Sequence, residues 1–433
     1  MVSTSSSTGG SSTNGESHFQ AVLDRYQADR RLPSVIAGVF DADSLTWWGT
    51  AGSPVPVDTQ FRIGSITKTM TAVLVLQCRD DRLLDLDDPV GRHVPGTGYA
   101  EATVRSLLAH VSGMQSEPVG PWWERSPGIA VEELLAANDG AGAVFGPGEH
   151  YHYSNLGFAL LGEAVARLRG CSWSSLVQER LLDPLGMTRT SYLPVEPYAR
   201  GLSVHHLAGT LTEEPLHDTG AMAPAGQLWS TVEDLARFGA FLVGGHQDVL
   251  SAETLREMRQ PVPPAIDYGL GVRLVPYADG LLVGHTGTMP GFQAGLFVDP
   301  LHHLGVVALT NATTGFSGSE LALALLGEHT PGPSEPWVPT SAVPPWAEEL
   351  LGYWHWGHSA YEVRWHDERL EFRDLARGGG VSEQFGLAGE RIVGLAGYHH
   401  GETLDVVRRD DGSIDHLECA TFVYTRQPYP HGS

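Results

Sequence analysis

Residues 61–77 read FRIGSITKTMTAVLVLQ, and the rest of the chain is best read from them. From Ser65 to Gln77, the residues Ile66, Met70, Val73, Leu74 and Gln77 share one helical face. Val75 and Leu76 make the remainder apolar as well. A helix apolar nearly all round is a buried one. Lys68 is out of place on it. The chain has 27 lysines and arginines, and Lys68 is its single lysine. Arginine keeps its proton in a protein, whereas a buried lysine amine can give it up. Burying an unpaired ammonium is costly, so a lone lysine here points to chemistry that needs a deprotonatable amine. One turn earlier stands Ser65. The spacing Ser65-Ile66-Thr67-Lys68 puts hydroxyl and amine on one face. A serine at a helix N-terminus also meets free backbone N–H groups that can hold an oxyanion.

Two later elements fit the same chemistry. Tyr153-Ser154-Asn155 stands in a loop before an apolar, Ala-rich helix expected over Leu156–Leu168. A tyrosine can relay protons, and an asparagine amide can bond both a substrate amide and the lysine. His285-Thr286-Gly287, followed by Thr288, closes a strand expected over Leu281–His285. Glycine there admits a ligand backbone to the strand edge, the histidine supplies a cation or donor, and Thr286 a hydroxyl. Each element alone is common; a turn with an N-cap or a strand end would explain it.

Taken in order, Ser-x-x-Lys, Tyr-x-Asn and His-Thr-Gly resemble the serine β-lactamase and penicillin-binding protein superfamily. The Tyr-x-Asn form is similar to class C β-lactamases, D,D-carboxypeptidases, D-stereospecific peptidases and related esterases. The stretches LLDLDDPV, TVRSLLAHVSGM, YSNLGFALLGEAV, LLDPLGMTRTSY, APAGQLWSTVEDLARF and HTGTMPGF agree with it, so the likeness covers about residues 20 to 325. The resemblance implies these roles. Ser65 attacks an acyl carbon. Lys68 and Tyr153 take and return its proton. Asn155 orients substrate amide and lysine, and His285, Thr286 and Gly287 line the docking edge. The N–H groups of Ser65 and Thr288 form the oxyanion hole. No cofactor and no metal are implied. His285 departs from the lysine usual in β-lactamases, which weakens the case for capture of a β-lactam carboxylate.

Around this centre the chain divides. The Ser/Thr/Gly-rich residues 1–17 read as a disordered tail, with neither basic n-region nor apolar h-region. A helix is expected over His18–Asp29 and strands over Val35–Phe40 and Ser44–Thr50. Further helices are expected over Thr103–Ala109 and Thr231–Val243, and late strands over Gly269–Val275, Gln293–Val298 and Gly305–Leu309. Residues 18–328 thus read as a β-lactamase/transpeptidase-like α/β domain, an antiparallel sheet flanked by helices plus an all-helical subdomain. Residues 329–345 hold six prolines and read as a stiff linker. Residues 346–428 alternate in short runs separated by turns, an all-β, lipocalin-like domain.

Composition narrows the partners. The net charge of −24 repels phosphate backbones and anionic lipid, so neither nucleic acid nor membrane is expected. Three scattered cysteines suit a reducing compartment, and a cytoplasmic location is expected. The pairs His205/His206, His302/His303 and His399/His400 lack metal-ligand spacing. The chain is also similar to penicillin-binding-protein-type thioesterases, which release and cyclise nonribosomal peptides and carry a lipocalin-like tail. That likeness implies a D-configured peptidyl (thio)ester or amide as substrate, with delivery by a carrier protein. A D-stereospecific peptidase, a D,D-carboxypeptidase or β-lactamase-like esterase, and a non-catalytic binding or sensor module are the alternatives.

Overall fold

The computed structural model describes residues 12–42 and 44–428. It divides into two units, one of residues up to Ser203 with Glu213–Trp337, the other of Val204–Thr212 with residues from Val338 on.

The first unit is organised on a six-stranded antiparallel sheet. Its strands are β1 (Ser34–Asp41) and β2 (Leu45–Gly52), with β7 (Arg273–Tyr277), β8 (Gly280–Met289), β9 (Phe292–Asp299) and β10 (Leu304–Thr310), in the order β2-β1-β10-β9-β8-β7. Two minor pairs accompany it, β3 (Phe61–Arg62) with β6 (Trp229–Ser230), and β4 (Leu202–Val204) with β5 (Leu211–Glu213). Both faces of the sheet are covered, as the period of two along β1 shows. Val35, Ala37 and Val39 join a core with Leu23 and Tyr26 of the Ser12–Arg30 helix and Leu321 and Leu325 of the Gly318–Leu326 helix. Ile36 and Phe40 face the other way, into the large core that holds the Ile66–Asp80 and Val232–Gly244 helices. The helices between β3 and β4 form the all-helical part.

Several expectations shift. The first helix begins at Ser12, so the expected tail does not extend through residue 17; residues 1–11 lie outside the described residues. The strand expected at Gly269 starts at Arg273, because Gly271 takes a left-handed φ of +76°. That bend brings its backbone against the Ser65 helix, where Thr69 Oγ1 donates to Gly271 O at 2.8 Å and a Cβ would stand 2.4 Å from Ala72 Cβ. The Pro-rich segment is not a free spacer throughout. Trp337 N donates to Gln27 Oε1 at 3.1 Å, and Gln27 Nε2 donates to Trp337 O at 2.8 Å.

The second unit holds a closed barrel of eight antiparallel strands, β11 (Gly352–Trp356) to β18 (Phe422–Thr425). The turn-bounded runs expected there, Tyr353–Trp356, Tyr361–Trp365, Leu370–Phe372, Glu390–Val393, Thr403–Val407 and Phe422–Thr425, miss two of them, β14 (Gly380–Ala388) and β17 (Ile414–Cys419), whose polar and glycine-bearing sequences hide the alternation. Trp354, Trp365, Phe372, Phe385 and Tyr424 fill the interior. The segment Val204–Thr212 belongs here through two main-chain bonds, Trp365 N to Leu207 O and Thr340 N to Gly209 O.

Candidate active site

The site starts at a tight turn. Gly64 has φ +50°, and a Cβ on it would stand 2.5 Å from Thr288 N. Gly287 is equally constrained: its Cβ would lie 1.9 Å from Ile63 O and 3.1 Å from Ser65 N. Only glycine lets the Ser65 turn and β8 touch this closely. The contact brings the main-chain N–H groups of Ser65 and Thr288 to one place.

Ser65 does not use its hydroxyl to cap the helix that follows. Its Oγ instead accepts from Lys68 Nζ at 2.9 Å. Lys68 is fully buried, and its second bond, at 2.6 Å, goes to Ala225 O rather than to a carboxylate. The rings of Tyr153 and Phe158 lie 5.1 and 5.8 Å from Nζ. Burial pulls the amine down to about 7, against an opposing pull from the charges of Glu117 and Glu124 and with further help from the Arg273 cation.

Tyr153 moves the opposite way. Burial raises its phenol, and the hydrogen bond with Ser65 offsets only part of that. Tyr153 is therefore a phenol in the resting site, and of the two groups expected to take the Ser65 proton Lys68 is the one whose burial favours the neutral, accepting form. Its ring lies under that of His110, centroids 4.1 Å apart. His110 Nδ1 accepts from Ser154 N, and burial holds the ring neutral. Asn155 opens the Asn155–Arg169 helix, capped by Ser154, and its Nδ2 donates to Glu117 Oε1 at 2.7 Å. The expected Asn155–Lys68 bond is absent among the described bonds, in which Lys68 Nζ donates to Ser65 Oγ and Ala225 O.

His285 is placed at the site but not as a cation. Its Nδ1 bonds Thr286 O, so Nδ1 carries the hydrogen, and Nε2 then accepts from Tyr268 OH at 2.9 Å. Burial, aided by Arg273 and Lys68, keeps the ring neutral. Both nitrogens are bonded within the protein, so of the cation or donor expected of His285 the cation is the form that burial disfavours.

The fixed cation is Arg273. It lines a cavity of about 310 Å³ with Asp267, Thr286, Gly287 and Thr288, and its Nε is buried without a hydrogen-bond partner. Pairing with β7 ends at Gly284, so β8 beyond it pairs only with β9. The alternation of the ladder turns the backbone groups of Thr286 and Thr288 to that open edge. Arg273, Glu117, Tyr268 and the Ala225 carbonyl were missed by sequence reasoning. Arg273 is one arginine among 26, and nothing local distinguishes it.

Among the described residues, no cluster of three or more His, Cys, Asp or Glu could hold a metal. The paired histidines instead meet carboxylates: His206 bonds Glu362, His302 bonds Asp299 and His399 bonds Glu383.

Against known families, the β-lactamase model matches residues 19–328. The chain belongs to the β-lactamase family. A domain family of unknown function, DUF7586, matches residues 343–426. Penicillin-binding protein 4 of Amycolatopsis lactamdurans is 30% identical over 345 residues, 72% of this chain and 89% of that protein. Other relatives are longer: the chain spans about half, 48%, of β-lactamase-like protein 2 of Dictyostelium discoideum. The solved D-stereospecific amidohydrolase from Streptomyces sp. is 28% identical, with a TM-score of 0.59 over 69% of this chain and 94% of that one. The octameric penicillin-binding protein homologue from Pyrococcus abyssi shares the fold over 94% of this chain and 99% of its own, with a TM-score of 0.65 and 23% identity. Family and fold together are those of a penicillin-binding-protein-type serine hydrolase. Among the described residues no helix is long and apolar enough to cross a membrane.

Proposed function

We propose that this β-lactamase-family chain forms an acyl-enzyme on Ser65 from D-configured peptidyl esters, thioesters or amides. We further propose that its cellular task is release and macrocyclisation of a nonribosomal peptide brought by a carrier protein in the cytoplasm. The observation that carries the acyl-enzyme reading is the Ser65–Lys68 pair, in which burial lowers the amine to about 7. The likeness to a D-stereospecific amidohydrolase supports the choice of substrate hand.

The steps follow from the placement of these groups. Ser65 Oγ attacks the acyl carbon and its proton passes to the neutral Nζ of Lys68. The N–H groups of Ser65 and Thr288 take the oxyanion that forms. Tyr153, kept as a phenol, gives its proton to the leaving thiolate, alkoxide or amine, and the Lys68 ammonium then gives the proton it took from Ser65 to the phenolate. The bond to the leaving group breaks and the ester to Ser65 remains. An amine of the same peptide then attacks that ester and gives its proton to the neutral Lys68 amine, which returns it to Ser65 Oγ as the acyl–Oγ bond breaks. A tethered amine gains a large effective molarity over water only when it is well placed.

A second reading draws on Arg273. A buried, unpartnered guanidinium N–H beside the open edge of β8 suits a substrate carboxylate. That favours a D-stereospecific peptidase or D,D-carboxypeptidase, with water as acceptor. Mass spectrometry on linear peptide thioesters ending in a D- or an L-residue tests both. Loss of the thiol with no added water marks cyclisation, and the linear acid marks the peptidase. Absence of an acyl adduct on Ser65 from every D-terminated substrate would overturn the acyl-enzyme reading.

A further inference from the structure

We propose that Glu117 is a positioning residue that locks the Asn155 amide in one orientation, with Nδ2 toward Glu117 and Oδ1 turned away from it. The inference rests on the acyl-enzyme reading above.

An asparagine amide can sit either way round unless its neighbours discriminate donor from acceptor. A carboxylate discriminates completely, because when ionised it only accepts. Asn155 Nδ2 donates to Glu117 Oε1 at 2.7 Å, so a flipped amide would set two oxygens against each other. The second oxygen is also occupied: Trp123 Nε1 donates to Glu117 Oε2 at 2.6 Å. With both oxygens spent, Glu117 is clamped rather than free to bind a ligand.

The main chain around Glu117 is fixed with equal care. Ser154 Oγ donates to Gln115 O at 2.7 Å, and Asn155 N donates to Ser116 O at 2.8 Å. Successive residues 115, 116 and 117 thus accept from the 154–155 step, which ties the two loops in register. Gln115 adds a bond from its Nε2 to Glu117 O and another to Asn138 Oδ1. The order of these bonds places Glu117 at the one point where its carboxylate can reach the Asn155 side chain. Asn155 in turn sits two residues from Tyr153, whose ring Lys68 overlies. Glu117 therefore reaches a substrate amide through Asn155, an amide-binding device whose polarity it sets. The charge of Glu117 also bears on the Lys68 amine, together with Glu124 and Arg273.

The test uses the full chain, a fluorophosphonate and a D-aminoacyl amide or ester that the wild type turns over. The fluorophosphonate has no amide for Asn155 to hold and reports Ser65 with Lys68 alone. Glu117→Gln is expected to lower kcat/KM on the amide by about tenfold or more, and fluorophosphonate labelling by less than about threefold. In an Asn155→Ala background the same substitution is expected to have no further effect on kcat/KM. Equal losses in both backgrounds, or labelling that falls in step with turnover, would overturn the proposal. Failure of the wild type to label at Ser65 would instead overturn the acyl-enzyme reading beneath it. Circular dichroism and melting temperature of each variant separate these outcomes from unfolding, and Glu117→Asp, which keeps the acceptor character, is expected to retain more turnover than Glu117→Gln.

Discussion

The catalytic cleft and the barrel both bury polar groups, yet they treat them in opposite ways. In the barrel unit each buried carboxylate meets a base. Glu362 bonds Arg364 and His206, Glu371 pairs with Arg373 and His366, and Glu383 bonds His399. The pKa values of Glu362 and Glu371 fall accordingly. In the catalytic cleft the buried bases lack such partners. Lys68 bonds a hydroxyl and a carbonyl, and His110 and His285 bond uncharged groups, while burial, aided by the Lys68 and Arg273 cations, keeps both rings neutral. Paired burial makes a scaffold, whereas unpaired burial leaves groups poised to change charge.

This contrast can be broken by experiment, beginning with its largest consequence. Ser65→Ala and Lys68→Arg are each expected to lower acylation by roughly 10³-fold or more, because arginine keeps the charge and loses the base. Retention of a tenth of the activity by Lys68→Arg would remove the base role. Lys68→Met should leave the protein folded and no less stable, since the site disfavours the ammonium.

Next comes the dependence of stability on pH. The folded-state pKa values of His110 and His285 are depressed, so below the unfolded value of about 6.5 the unfolded chain binds protons the native site refuses. The contribution of the two rings should be fully present above about 6.5 and fall as pH drops through it, by up to about 1.4 kcal/mol per pH unit for each ring. Urea unfolding at pH 7.5 and 5.5 measures the difference. His285→Gln should flatten part of this slope, and an unchanged slope would count against its neutral burial.

Smaller effects belong to structural pairings. Gln27→Ala leaves Trp337 N without its acceptor and should cost about 1–3 kcal/mol, with kcat unchanged. Glu371→Gln in the barrel should cost on the order of 1 kcal/mol and leave Ser65 labelling untouched, because its partners Arg373 and His366 keep other contacts with solvent.

What could be read from the sequence follows the same division. Ser65, Lys68, Tyr153, Asn155 and His285 through Thr288 stood out because each belongs to a short local pattern, and the structure brings them together. The apolar runs of the sheet were legible for the same reason. Charge states were not. Whether His285 is a cation depends on its burial and on the nearby Arg273 and Lys68 cations, which its own position in sequence does not reveal. Arg273 and Glu117 matter through contacts made across the fold, and neither carries a local signature. In the barrel, β14 and β17 escaped because polar residues and glycines blur a period of two.

The most direct test of the account is the rate at which Ser65 is acylated in a single turnover, followed by intact mass and peptide mapping from pH 5 to 10. The sign follows from Lys68: the amine must be neutral to accept the Ser65 proton, so the rate should rise with pH through a midpoint near 7. The adduct should map to Ser65, and Tyr153→Phe should lower the plateau without moving that midpoint much. A midpoint near 10, where an ordinary lysine titrates, or an adduct on any other residue, would contradict the claim that burial of a single lysine activates this serine.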